Sequence, residues 1–192
     1  MTVLVAYASA HASTTGIAQQ IADRLLKSGL SAVAHPVDRI ESVQPYHSVV
    51  LGSAVHNQQW LPEAAAFLSK FERPLAKLPV WLFSTCSVGE TSSFFGPQVT
   101  ELVRRTRHES NALGDARDAI HFRDHRHFAG NFERGGFSLL GDLFLKICGG
   151  STGDHRDWRD INDWTAGIAR ELQGIDHAQE RRRLHLSVRG RP

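Results

Sequence analysis

The residues best suited to chemistry form a short loop near the start of the chain, Ser9-Ala10-His11-Ala12-Ser13-Thr14. Small side chains let backbone N–H groups approach a ligand, hydroxyls can donate to an oxyanion, and a helix N-terminus is expected directly behind them. This combination predicts a phosphate-binding loop. The loop lacks the GxGxxG pattern and the GxxxxGK[ST] lysine, which disfavours NAD(P) and nucleoside triphosphates. The alternative is that Ser13 and Thr14 only cap the helix.

Histidines are the second set of candidates. His121, His125 and His127 lie close together in the sequence, and the last two would share one face of a strand. Their spacing reveals no third ligand, so a metal site is not predicted. Cys86 and Cys148 fit neither a zinc site nor a disulfide framework and are expected to be small buried hydrophobic residues.

Length and composition limit the class of protein. The chain has 192 residues and 41% hydrophobic residues, which favours one globular domain. No run approaches the roughly 20 apolar residues of a membrane-spanning helix, and the strand-like start is unlike a signal peptide. We therefore expect a cytoplasmic protein.

The formal net charge of +2 depends on the C-terminal tail. Residues 175–192 carry five arginines against two acidic residues, which leaves about −1 for the rest of the chain. Because this tail shows no apolar period, we predict that it is disordered and that the domain comprises residues 1–174. A nucleic-acid partner is not expected.

The phosphate loop must be positioned by the surrounding elements, which are predicted to alternate between strand and helix along the chain. Apolar, β-prone runs predict strands at 2–8, 31–37, 48–52 and 79–85, and a weaker strand at 126–132. Apolar spacings of three and four predict helices at 14–29, 61–71, 98–108 and 157–172. We interpret Asp154, His155 and Asp157 as a cluster at the start of the last helix. The alternation predicts an α/β fold: a doubly wound five-stranded parallel sheet with helices on both faces, which binds ligands at the carboxyl ends of its strands.

The segment from Tyr7 to Thr14 resembles the strand end and phosphate loop of the flavodoxin family, which typically reads T-x-T-G-x-T. Ser9 and Thr14 stand at the outer hydroxyl positions, and His11 and Ala12 replace the middle threonine and the glycine. The resemblance implies a flavodoxin-like fold and flavin mononucleotide (FMN) as cofactor.

The same resemblance implies that two further loops enclose the flavin ring. The loop after the third strand offers Ser53, Ala54, Val55, His56, Asn57 and Trp60, and the loop after the fourth offers Ser84, Thr85, Cys86, Ser87, Val88 and Gly89. Trp60 either stacks on the ring or packs against the next helix. The later loop either meets the pyrimidine edge through its backbone or simply ends its strand. His11 and His56 are candidate proton donors or phosphate partners.

Residues 2–172 are similar to the branch of this family that includes the menaquinone-dependent protoporphyrinogen dehydrogenases. The similarity rests on the first loop, residues 46–67, the apolar segment 135–150 and the helix start at 157–164. It implies an enzyme that oxidises a porphyrinogen and passes electrons to a quinone. Segment 135–150 would then cover an apolar substrate or rest on a membrane surface; alternatively, it packs against the sheet edge or a second subunit.

Three classes of function remain open. They are an FMN-dependent oxidoreductase of this type, a flavodoxin-type electron carrier, and a flavodoxin-fold interaction protein that has lost its flavin. Electron carriers are typically acidic, and a body charge near −1 provides little electrostatic steering. His11 and Ala12 keep the third class open. We favour the oxidoreductase.

Overall fold

The structure is a computed structural model that describes residues 1–117, 119–132 and 149–189. The predicted insert at 135–150 lies outside the described residues, apart from Gly149 and Gly150. Cys148 lies outside them as well.

Five parallel strands form the central sheet. They are β1 (Thr2–Ala8), β2 (Ser31–Pro36), β3 (Ser48–His56), β5 (Val80–Cys86) and β6 (Asp124–Ala129), and a short β4 (Gln59–Trp60) pairs antiparallel with the end of β3. The order across the sheet is β2-β1-β3-β5-β6. This arrangement confirms the predicted fold class.

Helices cover both faces of the sheet. They are α1 (Ser13–Lys27), α2 (Pro62–Leu75), α3 (Pro97–Thr106), α4 (Asn111–Arg117) and α5 (Trp158–Arg189). Helices α1 and α5 pack on one face, where Ile17 and Ile161 join the core that contains Val5. Helices α2 and α4 pack on the other, where Phe67 and Leu113 join the core that contains Leu82 and Leu51. Apolar side chains on both faces of the same strand explain the nearly continuous hydrophobic runs of β1 and β5.

The last strand differs from its prediction. Strand β6 ends at Ala129, and Asn131–Phe132 form a separate strand, β7, which pairs antiparallel with β8 (Gly153–Asp154). The break falls at Gly130, where a Cβ atom would lie 3.2 Å from Thr85 Cγ2 and 3.3 Å from Ser13 Oγ. The chain therefore turns away from the sheet where it passes between the first and third loops.

The last helix is longer than predicted, because α5 continues to Arg189 rather than ending near Leu172. Glutamine, glutamate, arginine, leucine and alanine are strong helix formers. A helix that is already nucleated extends one residue at a time, so it needs no apolar stripe to continue. Residues 190–192 lie outside the described part of the chain. Among the described residues, none of the helices has the length and apolar character needed to cross a membrane.

Candidate functional site

The pairing register brings the three predicted loops to one edge of the sheet. Ala8 at the end of β1 pairs with Ser53 of β3, and Ala54 of β3 pairs with Thr85 of β5. The loops that follow these strands are therefore neighbours at the carboxyl edge, where β1 lies between β2 and β3 and successive connections run in opposite directions.

The first loop contains polar groups that lack partners. Ser9 Oγ and Thr14 Oγ1 are buried without a hydrogen bond in the described structure, and Thr14 is only 1% exposed. The backbone N–H groups of residues 10–12 and 14–15 also find no acceptor within the described residues. Buried polar groups without partners are costly, and the free N–H groups surround the N-terminus of α1. The residues present therefore fit a phosphate.

Ser13 has a different task in this loop. Its hydroxyl accepts a hydrogen bond from the Asn131 N–H (2.9 Å) and donates one to the Asn131 carbonyl (3.2 Å). Its own N–H donates to the His11 carbonyl (2.7 Å). Both donors of Ser13 are thus engaged within the protein: the hydroxyl attaches the loop to β7, and the N–H closes a turn within the loop.

The second and third loops border a cavity of about 350 Å³. The predicted second loop is partly strand: Val55 lines the cavity from the end of β3, Asn57 from the turn that follows, and Trp60 from β4. Ser84, Cys86, Ser87 and Val88 line it from β5 and the third loop. The first loop, Ala10 and Ala12 included, does not line it.

The other predicted residues of these loops lie beside the cavity. Ser53 Oγ accepts from the Leu61 N–H (3.0 Å) and donates to the Ala54 carbonyl (2.8 Å). The Gly89 N–H donates to the Ser92 carbonyl (2.8 Å), so this group is also engaged. Thr85 Oγ1 is a third buried hydroxyl without a partner in the described chain. His11 and His56 are exposed.

A buried hydrogen-bond chain forms the floor of the cavity. Trp60 Nε1 donates to Ser84 Oγ (2.8 Å), which lies 2.9 Å from His125 Nε2. An indole N–H can only donate, and Ser84 is 1% exposed, so its hydroxyl proton must go to His125 Nε2. This assigns the remaining proton of a neutral His125 to Nδ1. The indole of Trp60, which is 4% exposed, packs in the core, as in the second of its two predicted roles.

His125 and His127 of β6 both face the cavity, as their spacing predicts. The centroids of their rings are 4.4 Å apart. Burial lowers the pKa of His125 to about 3, assisted by His127 whenever that imidazole is protonated and by the positive charge of Arg117. His125 is therefore neutral near pH 7.

His127 forms a pair with a carboxylate that the sequence analysis missed. Its Nδ1 lies 3.2 Å from Glu90 Oε1, and Arg107 Nη1 lies 3.2 Å from the same oxygen. The hydrogen bond from His127 lowers the pKa of Glu90 to about 2, against the opposing effect of burial. An ionised Glu90 accepts the proton of Nδ1, which leaves Nε2 of a neutral His127 as a proton acceptor. Nε2 makes no hydrogen bond in the part of the chain that the structure describes.

The flavodoxin domain family matches residues 4–113, which include all three loops. The chain belongs to this family. Membership implies that FMN is its cofactor, and the unpartnered donors of the first loop fit the phosphate of that cofactor. No curated protein matches the chain in sequence. Within the described residues, no group of three or more His, Cys, Asp or Glu side chains could hold a metal ion.

Solved structures show the same fold at low sequence identity. A cysteine-to-serine mutant of flavodoxin from Pseudomonas aeruginosa is 10% identical, with a TM-score of 0.57 over 90% of this chain and 99% of its own. Oxidised flavodoxin 2 from Bacillus cereus is 17% identical, with a TM-score of 0.55 over 89% and 99%. Rubredoxin oxygen:oxidoreductase from Desulfovibrio gigas is 16% identical, with a TM-score of 0.57 over 90% of this chain. The match spans only 36% of that longer protein.

The phosphate loop contains one residue with a left-handed backbone conformation. Ala12 occupies the position of the family glycine, and its φ of 58° and ψ of −13° lie in the left-handed region. This conformation costs a non-glycine residue roughly 1–2 kcal/mol. Ala12 is therefore strained in a conformation that glycine would adopt without steric cost.

Proposed function

We propose that this flavodoxin-family protein is an FMN-dependent oxidoreductase whose substrate enters the cavity beside the second and third loops. The observation that carries the proposal is a pair of imidazole nitrogens, His125 Nδ1 and His127 Nε2, that have no hydrogen-bond partner among the described residues and lie in a cavity bordered by those loops. FMN, when bound, supplies the electron chemistry, and the chain supplies position and proton transfer.

An acid–base pair is what distinguishes an enzyme from an electron carrier here. A carrier needs an exposed flavin edge and a charged surface for its partners. The Glu90–His127 pair instead resembles the carboxylate–imidazole arrangement that orients a general base. His127 Nε2 can accept a proton from a quinol hydroxyl and, once protonated, can return it to the oxygen of a quinone that is being reduced, while His125 Nδ1–H donates a hydrogen bond to a neighbouring oxygen. The net charge of +2 provides little of the acidic steering that carriers use.

The size of the cavity favours a substrate with a small ring system. A volume of about 350 Å³ lies at the lower end of the roughly 300–1,000 Å³ range of ligand pockets. Val55, Val88, Val103 and Leu113 provide apolar walls. A quinone ring suits this cavity better than a whole porphyrinogen, because one of its oxygens can accept from His125 Nδ1–H and the other, as a hydroxyl in the quinol form, can donate to His127 Nε2.

The protoporphyrinogen dehydrogenase activity remains part of the proposal. In this version a porphyrinogen is the reduced substrate, the quinone accepts its electrons, and residues 135–150 contact the substrate or the inner surface of the membrane. A cytoplasmic location at the membrane periphery and a homodimer belong to the same proposal.

Two measurements test the proposal in sequence. First, the absorption spectrum of the purified protein is recorded and the apo form is titrated with FMN, and we expect stoichiometric binding. Second, the FMN-loaded protein is reduced anaerobically and mixed with a soluble menaquinone analogue, and we expect His127→Asn to slow reoxidation more strongly than His35→Asn. Failure to bind FMN at high concentration would favour an interaction protein. Equal rates for both variants would favour an electron carrier.

A further inference from the structure

An arginine lies against the first turn of α1, beside the phosphate loop. A Cβ atom at Gly16 would lie only 2.5 Å from Arg156 Nη1, so the absence of a side chain at Gly16 makes room for the guanidinium. Gly16 is in the first turn of a 15-residue helix, two positions after Thr14. The Arg156 side chain is 17% exposed, so solvent screens its charge only in part.

The segment that contains Arg156 is fixed to the phosphate loop through Gly130 and Asn131. The His155 N–H donates to the Gly130 carbonyl (3.1 Å), and Ser13 exchanges two hydrogen bonds with Asn131. Arg156 itself bonds Asp154 through Nε (2.8 Å) and Nη2 (2.6 Å), and it lies 4.4 Å from the ring centroid of Trp158. Arg156 is therefore held in place before any ligand binds.

The electrostatics of this arrangement favour the binding of an anion. The N-terminus of a helix carries partial positive charge, so a cation beside it is unfavourable without a negative partner. The first turn of α1 contains no acidic residue. Asp154 balances Arg156, but Thr14 Oγ1 and the N–H groups of residues 14–15 have no acceptor in the described structure.

We propose that Arg156 binds the phosphate of FMN and compensates for the hydroxyl that is lost with His11 at the middle position of the loop. Asp154 orients the guanidinium and also opposes the incoming phosphate by like-charge repulsion. The phosphate monoester brings about two negative charges at neutral pH, so it outcompetes Asp154 for the arginine. This inference rests on the proposed FMN site.

Substituting each member of the Arg156–Asp154 ion pair separates a structural role from a phosphate-binding role. In a structural role both substitutions weaken FMN binding, whereas in phosphate binding they change the FMN affinity in opposite directions. Dissociation constants are measured for FMN and for riboflavin, which lacks the phosphate, with wild type, Arg156→Gln and Asp154→Asn. We expect Arg156→Gln to weaken FMN binding roughly tenfold and to leave riboflavin unchanged. Asp154→Asn should strengthen FMN binding, because the repulsion disappears while the cation stays. Added salt should reduce both differences.

Two further variants complete the design. Gly16→Ala keeps the charge of Arg156 but displaces its guanidinium, so it should also weaken FMN binding. Arg159→Gln is the matched control, because Arg159 is 92% exposed and lies 3.8 Å from Asp163 on the surface of α5. We expect no effect there. Thermal unfolding verifies that each variant is folded.

Three results would overturn the inference. If Arg156→Gln and Asp154→Asn weaken FMN binding equally, the ion pair only holds the β7–β8 segment in place. If wild type binds FMN and Arg156→Gln binds it equally well, Arg156 is no phosphate ligand, although the proposed function stands. If wild type binds neither flavin, the inference and the proposed function fail together.

Discussion

Ala12 is the residue at which this loop departs most from an unstrained turn. Its φ of 58° lies in the left-handed region, which glycine adopts without steric strain because it has no Cβ. Sequence similarity alone located the position, because the family motif has glycine there, but only the structure showed that alanine keeps the left-handed conformation.

Ala12→Gly should stabilise the protein. Relief of left-handed strain is worth roughly 1–2 kcal/mol, and the greater entropy of unfolded glycine cancels part of it, so we expect a gain of about 0.5–1 kcal/mol in the free energy of unfolding. Urea unfolding measures this. Ala10→Gly in the same loop is the control, because Ala10 has no positive φ and should lose stability. If both variants changed the free energy of unfolding in the same direction, the strain argument would be contradicted.

His125 makes stability depend on pH. Its pKa in the folded state is about 3, below the ordinary 6.5. Between these two pH values the unfolded chain therefore binds a proton that the folded chain does not bind. The stability associated with neutral His125 is present above pH 6.5 and falls as the pH drops toward 3. Glu90 loses its contribution only at lower pH, between its ordinary pKa of 4.5 and about 2.

His125→Asn should therefore flatten the dependence of unfolding free energy on pH between pH 7 and 5. The substitution lowers stability at pH 7, because it disrupts the bond to Ser84, but its stability should decline less on acidification. Chemical unfolding at a series of pH values provides the slopes. His35→Asn, on an exposed part of β2, should retain the wild-type slope. An unchanged slope in His125→Asn would contradict the assignment of a neutral buried imidazole.

Among the secondary-structure elements, β3 contains a glycine, Gly52, that leaves room for an aromatic ring of the adjacent strand β5. A Cβ at Gly52 would overlap the ring of Phe83 on the adjacent strand, and Phe83 is fully buried. The ring therefore occupies the space that a side chain at Gly52 would need, immediately before the second loop begins.

Gly52→Ala should cost about 1–3 kcal/mol in unfolding free energy, the usual penalty of overpacking. Gly114→Ala is the matched control, because nothing lies within 4 Å of its Cβ position in α4, and alanine there should stabilise by up to about 1 kcal/mol. Thermal or urea unfolding compares the two. Combining Gly52→Ala with Phe83→Leu should recover part of the loss; if it does not, the ring is not the cause.

The elements were more predictable from sequence than the contacts between them. Asp157 was interpreted as part of a helix start, and its Oδ1 accepts from the N–H groups of Arg159 (3.0 Å) and Asp160 (3.1 Å). Local spacing is sufficient for such a feature. Glu90 and Arg107 were not predicted, because Glu90 meets His127 and Arg107 only after β5, α3 and β6 have assembled. Arg156 likewise meets Gly16 across 140 residues of sequence.

For the whole molecule, ligand binding should stabilise the fold globally. The three loops follow β1, β3 and β5, the strands at the centre of the sheet, and each loop carries a buried hydroxyl or a cavity wall. A ligand that joins these loops must be released before the central strands separate. Binding to the folded state alone adds about 2.7 kcal/mol at a concentration of 100 times Kd.

FMN should accordingly raise the thermal unfolding temperature in a concentration-dependent manner, and hydrogen exchange should slow in β1, β3 and β5 together. AMP is the control, since it presents a phosphate monoester without a flavin ring and should stabilise far less. Equal stabilisation by AMP and FMN would mean that only the first loop takes part and that the second and third loops do not hold the ring. Slower exchange confined to residues 9–16 would lead to the same conclusion, because a ring held between the later loops must protect β3 and β5 as well as β1.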